Sequence, residues 1–176
     1  GKELRGQGWR WILWMSGLIR NLSAADTNAE LTCYNGELME NKQITSYKFA
    51  CTVARFLDEK IASNISILNI SSVSSFADYF VICSAQTSTQ VKSLTENLTE
   101  KVKTTFSRLP LGKEHDAKNR WNLIDYGDIV VHILHQEERE AYAIEKFWNH
   151  AFSIPKETWL QESVEYSESN TVHISL

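Results

Sequence analysis

Two carboxylates, Asp125 and Asp128, flank Tyr126-Gly127, and two imidazoles, His132 and His135, follow at the same spacing of three. Hard divalent cations take carboxylate oxygens and zinc takes imidazole, so this quartet is the first place to look for a metal or an acid–base pair. The spacing argues against both. Side chains alternate along a strand, so carboxylates three apart around a turn diverge, and histidines three apart point to opposite faces. Asp125 is expected to accept backbone N–H groups of its own turn, and His132 to be a core histidine bonded to a neighbour. Nucleotidyl transfer on a mixed sheet needs acids at i and i+2 near a Gly-Ser helix start, and the chain contains neither Asp-x-Asp nor Gly-Ser. Ser84, Ser88 and Thr89 could gather an anion at a helix start, as any capped helix can. With seven glycines there is no phosphate-cradling loop, and no Gly-x-Ser-x-Gly or His-Glu-x-x-His motif occurs. A binding module is the better class, with no catalytic residues, no cofactor and no metal expected.

The element that must position these residues runs from Trp121 to His135. Two runs of alternating and β-branched residues are separated by Asp125-Tyr126-Gly127-Asp128, a hairpin signal with one glycine free to take positive φ. The second run, Ile129 to Leu134, is apolar on both faces and reads as a central strand covered on two sides. Trp121 and Tyr126 fall on opposite faces, so one of the two is expected at an exposed margin, where interface hot spots favour Trp and Tyr.

Along the chain, Phe49, Ala50, Val53, Phe56, Leu57 and Ile61 mark one face of a helix over 46–61. Strands follow at 65–70 and 78–84. Thr87-Ser88-Thr89-Gln90 is a capping box that opens a helix striped by Val91, Leu94, Leu98, Val102 and Phe106 and closed before Leu109-Pro110. Residues 111–116 suggest a short edge strand. A last helix is expected over 137–148, burying Ala141, Ile144, Phe147 and Trp148. This order gives an α/β or α+β sandwich with a mixed sheet of about five strands.

At 176 residues and 43% hydrophobic, the chain holds one domain with tails. The expected divisions are a stretch of 1–45, the domain over 46–152 and a mobile tail over 153–176. The net charge is −4 with cations scattered, which argues against nucleic acid as the main target. Cys33, Cys51 and Cys83 are odd in number and show no Cys-x-x-Cys pair, as expected of a reducing compartment. The apolar run from Trp9 to Ile19 is too short for a bilayer, which takes roughly 20 residues, so no membrane is expected. It reads as a targeting segment, as an amphipathic surface helix or, the favoured reading, as a translated upstream stretch ahead of a start at Met39.

The blocks Ser74-Ser75-Phe76-Ala77-Asp78-Tyr79, Thr87-Ser88-Thr89-Gln90, Leu109-Pro110-Leu111-Gly112, Trp121 to His132, and Arg139-Glu140-Ala141-Tyr142 with Glu145-Lys146-Phe147-Trp148 are in family register. Together they resemble the ribosomal silencing factor family, also called RsfS or Iojap, from about Ser46 to Trp148. After Trp148 the family usually has a small residue and an acid, where this chain has Asn149-His150. The resemblance implies a nucleotidyltransferase-like fold without catalytic acids, and a translation repressor that is not an enzyme. It implies binding to universal large-subunit protein fourteen of the large ribosomal subunit, which blocks subunit joining under nutrient stress. Carried over by position, the implied contact residues are Trp121, Ile124, Asp125, Tyr126 and Asp128. Two further readings are kept: a nucleotide-binding or nucleotidyltransferase-like enzyme, and a homodimer through the same apolar face when free. The expected home is cytoplasmic, or mitochondrial or plastid if residues 1–38 are a targeting extension.

Overall fold

The computed structural model describes residues 44–164; the readings made for 1–38 and for the last twelve residues lie outside the described residues. Helix α1 (Ser46–Glu59) begins at Thr45, whose hydroxyl accepts from Lys48 N at 3.3 Å, and buries eight of its fourteen residues. It ends on Ile61 at φ 61°, with Ile61 N donating to Asp58 O and Ala62 N to Leu57 O, both at 3.0 Å. That is a Schellman closure with isoleucine where glycine is usual. Strands β1 (Ser63–Asn69) and β2 (Tyr79–Ala85) then pair antiparallel.

Helix α2 (Ser88–Phe106) starts at Thr87, whose hydroxyl accepts from Gln90 N at 3.1 Å. Gln90 reaches back one residue further than a capping box requires and accepts from Gln86 N at 3.0 Å. Its buried stripe is Val91, Leu94, Leu98 and Val102, and Ser107 closes it in the left-handed region ahead of Pro110. Strands β3 (Gly112–His115), β4 (Trp121–Asp125) and β5 (Ile129–His135) complete the meander.

The sheet has six strands in the order β3-β4-β5-β2-β1-β6, where β6 is Phe152–Ile154. All neighbours are antiparallel except β2 and β5, which run parallel with Ile82 opposite His132. The mixed sheet with helices packed on it agrees with the fold read from the sequence, with one strand more. β5 lies between β4 and β2 and is fully buried from Ile129 to Leu134, which is why its sequence is apolar on both faces.

One sheet face, with Ile67, Val81, Val131, Ile133, Ile124 and Tyr126, is covered by α1, α2 and the C-terminal helix α5 (Lys156–Glu162). The register puts Phe80, Val130, His132, Leu123 and Trp121 on the other face. That face lies under two short helices, α3 (Gln136–Tyr142) and α4 (Ile144–Phe147), and under Trp148.

Three expectations about these elements need correction. Ile61, read onto the packed face of the first helix, lies beyond the helix end at Glu59 and is 80% exposed. The last helix is two helices: Ala143 at φ 44° breaks it, and the break leaves Ala141 exposed and Phe147 68% exposed, so of the expected stripe only Ile144 is fully buried. The tail expected from residue 153 is ordered at least to 164. Ile154 pairs with Ile67, and Trp159 on α5 is 1% exposed beside α1, so these residues complete the core.

The candidate partner-binding hairpin

The turn between β4 and β5 is built by its own side chains. Gly127 takes φ 91°, which an L side chain rarely adopts, and Asp125 Oδ1 accepts from Gly127 N at 2.7 Å, as an Asx turn requires. Asp128 Oδ1 accepts from Ile129 N at 3.0 Å and forms a close ion pair with Arg108 Nη2. Arg108 also donates to Tyr126 O at 2.7 Å and lies 4.3 Å from the centre of the Phe49 ring, a cation–π distance. Asp128 O accepts from Asp78 N at 2.7 Å, which ties the turn to the start of β2. Both acids are half-buried and engaged within the turn. Among the described residues no three His, Cys, Asp or Glu side chains are placed to hold a metal ion.

The remaining positions of the implied contact set lie inside. Ile124 is 0% and Tyr126 2% exposed, and the Tyr126 ring packs edge-on against Phe49 at 5.3 Å. Burial pushes the Tyr126 phenol above its ordinary value, against the nearby Arg108, and its hydroxyl has no hydrogen-bond partner. Trp121, on the opposite face, is 3% exposed: its Nε1 donates to His132 Nδ1 at 3.2 Å and its ring lies 4.9 Å from Tyr142. The expectation that one aromatic of the pair would be exposed is therefore corrected. The reason is that each face of the sheet has its own cover, α1 over Tyr126 and Tyr142 over Trp121. Of the five positions, only Asp125 and Asp128 reach the surface, and both do so in part.

His132 is the core histidine its spacing suggested. It is 0% exposed, its ring sits 4.8 Å from Phe80, and burial lowers its pKa to about 3. His135 serves elsewhere, as the N-cap of α3, with Nδ1 accepting from Glu137 N at 3.2 Å.

In sheets with parallel strands, ligands usually sit beyond the carboxyl ends of those strands. At the ends of β2 and β5 there is a cleft of about 440 Å³ that includes Asn64, Ser84, Gln136 and Arg139. Arg139 spends its donors internally. It donates to Ser84 Oγ at 3.0 Å, to Ser66 Oγ at 2.8 Å and to Asn64 O, and it pairs with Glu145. Ser84 is thus taken up by Arg139, where the sequence offered it for an anion. Three arginines, Arg108, Arg120 and Arg139, organise the region, and sequence reasoning missed all three. Their partners lie six to 75 positions away, beyond the reach of any local spacing rule.

A mixed sheet with one central parallel pair, a pinned hairpin and an arginine seated in the usual ligand cleft defines a mixed α/β domain. A crystal structure of a protein from Bacillus halodurans covers 59% of this chain and 93% of its own at TM-score 0.51 and 32% identity. The family model described as "Ribosomal silencing factor during starvation" matches residues 43–174. The chain belongs to that family. The ribosomal silencing factor of Bacillus subtilis is 34% identical over 94 residues, covering 53% of this chain and 79% of the relative. A mouse protein named mitochondrial assembly of ribosomal large subunit protein 1 is 27% identical over 94 residues, covering 52% of this chain and 41% of its own length.

Proposed function

We propose that this chain binds the large ribosomal subunit through the β4–β5 hairpin and, while bound, keeps the small subunit from joining, so that translation falls when nutrients are short. The partner is a large-subunit protein, universal protein fourteen, and the role is non-enzymatic. The observation that carries the reading is the family match over 43–174, which contains the whole hairpin. The name of the mouse relative adds support for the large subunit. In this reading Asp125 and Asp128 meet the partner directly, Trp121 becomes the aromatic anchor only once the Tyr142 that covers it is displaced, and Ile124 and Tyr126 hold the turn from behind. The chain acts in whichever compartment holds its ribosome: bacterial cytoplasm in the first instance, mitochondrion or plastid if residues 1–38 are a targeting extension.

The test is gradient sedimentation of purified subunits with and without the protein. The expected result is co-migration with the large subunit and loss of the joined-ribosome peak. Protein that stays at the top of the gradient would remove the reading. Titration calorimetry with nucleotides and Mg²⁺ would then decide whether the cleft beside Arg139 takes a ligand.

A further inference from the structure

We propose that α3 and α4 form a strap that covers the Trp121 face of the sheet in the free chain and lifts from it when the protein partner docks, so that strap opening sets the affinity of the site. This rests on the hairpin being the docking element. The strap is weakly packed: α3 has no fully buried side chain and α4 only Ile144, where α1 buries eight residues. Polar latches hold it instead. Arg120, immediately before β4, donates to Glu137 and to Glu138 of α3, both at 2.6 Å. Arg139 of α3 reaches across to Ser66 on β1 and Ser84 on β2 while pairing with Glu145 of α4, and Ser66 Oγ also donates to Glu145 at 3.1 Å. The Arg120 latch is in part exposed, through Glu137, and the Arg139–Glu145 latch is part-buried; a cover held by a few polar contacts opens more readily than a packed core. Ala143, left-handed at φ 44°, marks the joint between the two helices.

What the strap covers favours opening. Tyr142 lies on Trp121 at 4.9 Å, and rings continue from Trp121 to His132, Phe80 and Trp148 at 5.9, 4.8 and 5.4 Å. Within this ladder His132 Nε2 and Trp148 Nε1 are buried without a hydrogen-bond partner. Because His132 Nδ1 accepts from Trp121, the imidazole proton sits on Nε2, and both orphan atoms are donors. A buried donor without an acceptor destabilises the closed form, and a partner can supply what is missing. The occupant that fits is a protein segment offering an apolar side chain to the aromatic ladder and carbonyl oxygens to the two donors.

The experiment is hydrogen exchange by mass spectrometry on the full chain, paired with co-sedimentation on purified large subunits, for the wild type, Glu145→Gln and Tyr142→Ala. Amides of 136–147 should exchange about tenfold or more faster than those of 129–135, which also reports an intact sheet in each variant. Either variant should raise affinity for the subunit about threefold or more, because the open form becomes a larger fraction of the free chain. Strap amides as slow as the strands, or latch variants that leave the affinity of a binding-competent wild type unchanged, would overturn the strap. A wild type that does not bind the subunit at all would instead overturn the docking reading, and the strap's role with it, whatever the exchange rates.

Discussion

Trp121 and His132 form a buried pair whose chemistry is set by desolvation. With the imidazole held neutral to about pH 3 in the folded chain and protonating near 6.5 when unfolded, the unfolded state binds the extra proton between those values. Stability from this group is therefore complete above pH 6.5 and falls as the pH drops toward 3, by up to about 1.4 kcal/mol per pH unit. Denaturant unfolding at a series of pH values should show this acid limb, and His132→Leu should flatten it. Glu145 has the other common sign: burial alone would raise its pKa, but Arg139, a backbone hydrogen bond and Ser66 together outweigh burial and hold it below the ordinary carboxylate value. Its contribution is present above that ordinary value and is lost as the pH falls through the lower folded one. Trp121→Ala removes a side chain that is 3% exposed and should cost about 3 kcal/mol or more in equilibrium unfolding. Any loss of subunit binding by that variant has to be measured on its folded fraction.

At the scale of elements, Ile61 holds the C-terminal closure of α1 in a conformation that strains a β-branched residue, while its side chain is 80% exposed and packs nothing. Ile61→Gly should stabilise the chain by about 0.5–1 kcal/mol, read as a raised denaturant midpoint at unchanged slope. Loss of stability would mean that the isoleucine makes contacts worth more than the strain. Which elements the sequence discloses follows the same physics. α1, α2 and the hairpin were legible because amphipathic period, a capping threonine and a turn glycine are local signals. The break at Ala143 was not, since alanine is the best helix former and nothing in its side chain signals a left-handed backbone. β6 was missed because three residues carry no period, and α5 reads as at most one helical turn because a single tryptophan carries its burial. The site was half legible: Asp125's turn bond and His132's core bond could be argued from alternation. The burial of Trp121 could not, because Tyr142, twenty-one positions on, covers it.

For the whole molecule, charge distinguishes the possible ribosomal targets more sharply than any single contact. The chain carries a net charge of −4, and in the proposed docking mode the turn presents Asp125 and Asp128. Against a basic ribosomal protein, long-range attraction speeds encounter, and salt screens it over a Debye length of about 10 Å at 0.1 M. Raising salt from about 50 to 300 mM should then slow association severalfold while leaving dissociation little changed. Against rRNA phosphates the sign reverses: an acidic chain is repelled, and added salt should speed its approach. Stopped-flow association with purified large subunits across that salt range separates the two cases. A rate that rises with salt would move the docking surface from a ribosomal protein to rRNA, and with it the role assigned to the acidic turn. Asp125→Asn sharpens the comparison, because removing one acid should weaken the salt dependence in the first case and also in the second, but slow association only in the first.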